Sequence, residues 1–363
     1  MRVRIVTRVD PGKPTGVGQY WERLRACIRN AGFGCDWLAL KDWLGGKVAG
    51  NPATDLLIMD NHDSIVIQPE YHVIAVQHGC AGEHKKRVPS WPCGDIVERQ
   101  AAAARRPNTF WVGCSQWAAA KCKRHMGIAA DRIIYGCVDT DRFIPSERQR
   151  LRDAKRPVVL HHCQDDNKGS GLIDAVAQEL GDAFEVRRLK VPPAQVADAM
   201  READIWLCLS AAEGLPTVAQ EALSCGLVAV STNVGIFWPY MCGVPVAGGA
   251  WANPEIGSVI FDWRKRTDAP FVANMVRAAW ACRKQLHGRE YARQWWSVPI
   301  FTQKWLETIR VALRRLGTTG TLGPARPGGP APAPAPAPKT PQAKPVPVKP
   351  APMAAVRGRL PGQ

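Results

Sequence analysis

Apolar and polar positions along this chain follow two rhythms, and the changes between them mark its elements. Short, nearly continuous apolar runs at Val3–Val6, Trp37–Leu40, Leu56–Met59, Val73–Val76, Thr109–Val112 and Arg132–Ile134 predict strands. Between them the apolar residues take a helical spacing. Trp21, Leu24 and Ile28 fall on one face of a helix predicted over Gly18–Ala31, and further helices are predicted over Asp95–Ala104 and Trp117–His125. After the connection Asp139–Pro145 a second strand series follows: Val158–Leu160, Phe184–Arg187, Ile205–Leu209, Val228–Val230 and Ser258–Phe261. Strand and helix alternating in this way predict two parallel, Rossmann-like α/β units. Trp295, Trp296 and Trp305 stud the Arg289–Leu316 stretch, which predicts helices packing back across both units. The chain thus divides into residues 1–145, 146–292, 293–316 and a tail at 317–363. That tail is rich in Pro, Ala and Gly, alternates Pro and Ala from Pro330 to Pro338, and is predicted to be disordered.

Candidate chemistry concentrates between Ala203 and Phe237. The Ile205–Leu209 run ends at Ser210, and Glu213, Gly214, Leu215 and Pro216 form a turn opening a helix, with Pro216 suited to its first position. The N–H groups of Thr217 and Val218, at the positive end of the helix dipole, predict a diphosphate site without a Walker-type loop. Glu213 in the loop and Glu221, roughly one to two turns into the helix, flank that site. Each can accept hydrogen bonds from hydroxyls on its side of a bound diphosphate. Gly226 ends the helix.

This segment resembles the retaining glycosyltransferases of family 4, and the likeness covers most of the chain ahead of the tail. The matching pieces keep their order. They are the Arg2–Thr7 strand with Gly16 and Gly18 after it, a strand ending at His78-Gly79, and Cys114-Ser115-Gln116-Trp117. Next come Tyr135-Gly136-Cys137-Val138-Asp139 with Phe143 and Pro145, then Lys168-Gly169 behind a strand. The resemblance implies a GT-B architecture, in which two Rossmann-like domains face a central cleft. Residues 1–145 would be the acceptor side and 146–292 the nucleotide-sugar side. It also implies roles for individual residues. Glu213 contacts the donor sugar, Glu221 holds the ribose hydroxyls, Lys168 meets the diphosphate and His78 lies near the transferred sugar. Gly16 and Gly18 flank the phosphates, where a glycine lets backbone approach a ligand, and Gly214, Leu215, Pro216, Thr217 and Val218 line the donor site. The chain departs from the family at two points. No arginine precedes Lys168 at the family's place, which His161, His162, Cys163 and Gln164 occupy, and Leu180–Asp204 leaves room for only one strand and one helix. Arg187, Arg188 and Lys190 are candidates for the missing charge.

Composition narrows the partners. The net charge is +16, with the excess of Lys and Arg concentrated in the first 150 residues and the tail. Lys85-Lys86-Arg87, Arg105-Arg106 and the Lys121, Lys123, Arg124 group fit either a solvated face or an anionic acceptor such as an acidic glycan, phospholipid or nucleic acid. No apolar run is long enough to span a membrane and no leader-like segment opens the chain, so a cytoplasmic protein is expected, with peripheral membrane attachment left open. The 12 cysteines form no regular framework and read as reduced thiols. His78, Cys80, His84 and Cys93 lack the tight cysteine pairing of zinc sites, so no metal is expected. Of the 14 tryptophans, Trp21, Trp37, Trp111, Trp206 and Trp305 read as core, while Trp91 and Trp238 are candidates for acceptor contact.

The expected function is transfer of a sugar from a nucleotide-diphosphate donor to an acceptor hydroxyl, with retention implied by the resemblance. No cofactor beyond the donor is expected. Two alternatives stand beside it: a glycosyltransferase acting on modified DNA bases, and a nucleotide-binding protein of the same fold that has lost activity. The last draws on the missing arginine and the short C-terminal domain.

Overall fold

The computed structural model describes residues 2–10, 15–162, 165–240 and 243–316. The tail predicted to be disordered lies outside them. Six parallel strands form the first sheet: β1 (Arg2–Thr7), β2 (Cys35–Ala39), β3 (Asp55–Asp60), β4 (His72–Gln77), β5 (Thr109–Gly113) and β6 (Arg132–Ile133), in the order β2-β1-β3-β4-β5-β6. Its helices are α1 (Gly16–Asn30), α2 (Leu40–Leu44), α3 (Ala81–Arg87), α4 (Ile96–Ala103) and α5 (Gln116–Met126). The interior of β1 is buried on both faces, which is why its sequence is nearly continuously apolar. Arg4 is buried there only because it meets Asp55 at 3.1 Å and stacks on Trp43 at 5.4 Å.

The second sheet takes β7 (Val158–His161), β8 (Glu185–Arg188), β9 (Ile205–Cys208), β10 (Val228–Thr232), β11 (Val244–Val246), β12 (Ala250–Asn253) and β13 (Ser258–Phe261) in the order β11-β12-β13-β10-β9-β7-β8. Its remaining ladders are parallel, and β12 pairs antiparallel with both β11 and β13. The helices are α6 (Glu147–Leu151), α7 (Ile173–Leu180), α8 (Val196–Arg201), α9 (Thr217–Ser224), α10 (Ala269–Ala281), α11 (Gly288–Trp295) and α12 (Val298–Arg315). Only β8 and α8, with single 3₁₀ turns, fill the stretch between Leu180 and Asp204.

Each sheet has a point where the strand order reverses, between β1 and β3 in the first and between β7 and β9 in the second. Such switch points leave a crevice at the carboxyl ends of the strands. The last helix belongs to the first sheet's core. Phe301, Trp305, Ile309, Ala312 and Leu313 of α12 are buried among Val3, Ile5, Trp21 and Leu24, while α11 packs on α9.

Several boundaries differ from the sequence reading. Helix α1 starts at Gly16, because the Thr15 hydroxyl accepts from the Gly18 N–H (2.9 Å) and caps it there. Leu40 leaves its strand and opens α2, and β6 contains only Arg132 and Ile133. The β11–β12 hairpin has no counterpart among the predicted strands. Pro216 is the N-cap of α9, with ψ of 79°, one position ahead of the expected first helical residue. Trp21, Trp37, Trp111, Trp206 and Trp305 are all buried, and Trp91 and Trp238 are half-buried.

Candidate functional site

A cavity of about 470 Å³ opens at the carboxyl ends of β7 and β9, where the second sheet reverses its order. Its floor holds His161, Lys168 and Ser210, and one wall is the loop and first turns of α9, with Glu213, Leu215, Pro216, Thr217, Val218 and Glu221. The opposite wall belongs to the first domain: Gly16, Gln19 and Arg23 of α1. Leu189, Val191 and Trp206 give it an apolar end.

Lys168 ends a short 3₁₀ turn whose Asp165 carboxylate accepts from the Lys168 N–H (2.9 Å). Gly169 follows at φ +76°, and a Cβ there would come within 2.7 Å of Leu209 Cβ. Asn167 ties this turn to the donor-motif loop. Its side chain exchanges two hydrogen bonds with the Ala212 backbone (2.9 and 3.0 Å), and its carbonyl accepts from the Ala211 N–H (2.8 Å). Lys168 Nζ meets the Glu213 carboxylate, to which Ser210 Oγ also donates at 3.4 Å. Burial pushes the Lys168 ammonium below the ordinary lysine range.

Glu221 points into the cavity from α9 and pairs with Arg23 of α1 at 2.9 Å. Burial raises its carboxyl, and the Arg23 and Arg142 guanidinium groups oppose that rise. Of the two amides expected to receive a diphosphate, the Thr217 N–H donates to the Leu215 carbonyl at 2.9 Å.

The first domain's contribution differs in detail from the sequence reading. Gly16 lines the cavity, whereas Gly18 is buried in α1 and does not. His78 also lies off the cavity lining. Its ring stands edge-on to Tyr20 and Trp21 (4.6 and 4.8 Å), and its Nε2 is 3.6 Å from Asp60. Burial drops its pKa to about 3, so the imidazole is neutral, while burial and then Asp63 raise Asp60 to about 7. It is the His78 backbone that meets the donor-motif loop, since a Cβ on Gly214 would land 1.7 Å from its carbonyl oxygen. Ser115 Oγ donates to the Gly214 carbonyl at 2.6 Å, so the loop is held against the first domain from two sides.

The proposed substitutes for the missing arginine do not reach the cavity. Arg187 pairs with Glu185 and Glu202, Arg188 pairs with Asp174, and Lys190 is exposed away from the lining. The guanidinium groups that do line it are Arg23 and Arg142, which sequence spacing did not single out. Nor do the basic clusters form one solvated face. Arg87 is buried, paired with Glu83 at 2.7 Å, stacked on Trp263 at 4.6 Å and donating to the Ala211 carbonyl at 2.8 Å. Lys121 also turns to Glu83 (3.5 Å), whereas Lys123, Arg124 and Arg105 are exposed. Among the described residues, no three His, Cys, Asp or Glu side chains converge as metal ligands.

Residues 179–240, which hold the donor-motif loop and both glutamates, match the family model described as "Glycosyl transferases group 1". That segment is similar to group 1 glycosyltransferases, and it sits on a GT-B fold. The fold extends well beyond that segment. Sucrose-phosphate synthase from Thermosynechococcus elongatus superposes with a TM-score of 0.67 at 15% identity, covering 87% of this chain and 100% of that one. Anabaena HepE in complex with UDP-glucose gives 0.61 at 16% identity, covering 85% and 99%. WaaG, a glycosyltransferase involved in lipopolysaccharide biosynthesis, gives 0.56 at 13% identity, covering 88% and 100%. No curated protein matches this GT-B chain by sequence. Among its described residues, no helix is long and apolar enough to cross a membrane.

Proposed function

We propose that this GT-B chain transfers a sugar from a nucleoside-diphosphate donor to an acceptor hydroxyl, with retention of anomeric configuration. The observation that carries this reading is the convergence of Lys168, Glu213, Glu221 and the start of α9 on one cavity that the first domain closes. Departure of the nucleoside diphosphate builds negative charge. Lys168 and the positive end of α9 stabilise it inside a site walled from water, so the leaving group needs no divalent cation. Glu213, already paired with Lys168, releases the ammonium to the phosphates and turns to the sugar hydroxyls. Glu221 accepts from the ribose. Gly16 lets the α1 backbone approach the phosphates, and His78 contributes through its carbonyl, which lies against the Gly214 turn. HepE is crystallised with UDP and UDP-glucose, which makes uridine donors the first to try here.

The test is a panel of nucleotide sugars, read by calorimetric binding and by release of nucleoside diphosphate, with and without EDTA. The expected result is one donor bound and slowly hydrolysed, EDTA without effect, and an axial or equatorial product that matches the donor's anomer by NMR. Binding without hydrolysis or transfer to any acceptor favours the inactive nucleotide-binding reading. No binding by a folded protein overturns the donor pocket.

A further inference from the structure

Glu221 is almost fully buried, and its ion-pair partner comes from the other domain. The Arg23 side chain of α1 is 23% exposed and the Glu221 side chain 7%. Arg23 Nη2 donates to Glu221 Oε1 at 2.9 Å, and Nη1 donates to the Cys137 carbonyl at 2.5 Å. That second bond anchors the guanidinium to the connection between the domains. Arg23 therefore stands on the partition between two cavities. One is the donor cleft, and the other is a hinge cavity of about 760 Å³ between α1, the connection and α12.

A carboxyl group buried without a partner takes up a proton, and a protonated carboxyl is a poor acceptor for a pair of hydroxyls. An arginine that occupies one edge of the carboxylate keeps it ionised, fixes its rotamer and leaves the remaining lone pairs free. We propose that Arg23 is a positioning residue for donor ribose recognition. It holds Glu221 in the geometry that accepts the ribose hydroxyls, and it does so from the opposite domain, so the ribose grip is complete only when the domains are together. The inference rests on the donor-pocket reading above. Arg142 also faces Glu221 from the connection, where its own head group donates to the Pro193 and Ala194 carbonyls (2.7 and 3.1 Å). Arg289 of α11 is engaged by the Phe143 and Ser224 carbonyls (2.8 and 2.6 Å), and the Cys225 thiol lies at the C-terminal end of α9. Neither arginine makes the direct bond to the Glu221 carboxylate that Arg23 makes.

The test compares binding of UDP, GDP and ADP with that of their 2′,3′-dideoxy analogues by calorimetry, in wild type, Arg23→Met, Arg23→Lys and Glu221→Gln. For the nucleotide that wild type binds, Arg23→Met is expected to weaken binding about tenfold or more and to leave the dideoxy analogue unchanged. Arg23→Lys should recover part of the loss, and Arg23→Met should add nothing further in a Glu221→Gln background. In turnover the same variant should raise the donor KM more than it lowers kcat. Equal weakening of both nucleotides, or none, overturns the role of Arg23 while the donor pocket stands. Failure of wild type to bind any of the three overturns the donor pocket and the inference with it.

Discussion

Glu213 and Glu221 carry the same side chain, yet their surroundings assign them different work. Glu213 shares the cavity floor with a lysine whose charge burial already disfavours, so a diphosphate that takes over the Lys168 charge leaves the Glu213 carboxylate to find new donors. Removing that ammonium leaves the leaving-group charge to α9 alone. Lys168→Ala is therefore expected to lower the rate of donor cleavage about 10²- to 10³-fold, measured by nucleoside diphosphate release at saturating donor. The buried titratable groups set a second expectation. His78, His84 and His161 are pushed down to about 3, 4 and 4 by burial. Their folded pKa values lie below the unfolded one, so the unfolded chain gains protons first as pH falls. Stability should drop as pH falls through about 6.5, by up to about 1.4 kcal/mol per pH unit for each histidine, in urea titrations at pH 7.5 and 5.5. Asp60 has the opposite sign. Its folded pKa of about 7 lies above the unfolded value of 3.8, so its share of stability fades as pH rises between those values. The stability of Asp60→Asn relative to wild type should accordingly increase from pH 5 to pH 8.

At the scale of elements, the glycine in the Glu213–Pro216 turn answers to another domain. Gly214 has no room for a Cβ because the His78 carbonyl lies against it. Gly214→Ala must displace backbone on one side or the other, with an expected cost of about 1–3 kcal/mol and loss of donor turnover, read by thermal unfolding and donor hydrolysis. The alternating apolar runs made most strands legible, and β13 at Ser258–Phe261 has the bounds read from sequence. The β11–β12 hairpin escaped because its strands are short, carry a proline and are surrounded by Gly243, Gly248 and Gly249, which reads as loop. Helix α3 escaped because Lys85-Lys86-Arg87 read only as a charge cluster, solvated or facing an anionic acceptor, when Arg87 and its partner Glu83 are in fact buried beneath the donor-motif loop. The residues of the donor motif were readable because they are neighbours along the chain. Arg23 was not, since its partner lies 198 positions away and a lone arginine on an amphipathic helix carries no mark of its task.

Across the whole molecule, Arg87 makes two of the contacts that hold the cleft closed. It ties α3 to the Ala211 carbonyl and stacks on Trp263 of the second domain. Arg87→Ala leaves Glu83 with only Lys121 and His125. The expected cost is about 2–4 kcal/mol, with an increase in the radius of gyration by small-angle scattering as the domains part. Donor should reverse part of that increase.

The placement of α12 has a consequence for how the protein is made. The chain crosses from the first domain to the second at Tyr135–Pro145 and returns beside the same path, where Val138 bridges Ser297 and its N–H donates to the Trp296 carbonyl (2.8 Å). The first sheet then receives Phe301, Trp305 and Ile309 into its core. A ribosome emits that sheet's strands early and its closing helix last, so the leading domain must wait, with one face of its core uncovered, while the other is synthesised and folded. The second domain should therefore acquire its native packing first, reversing the order in which the two leave the exit tunnel.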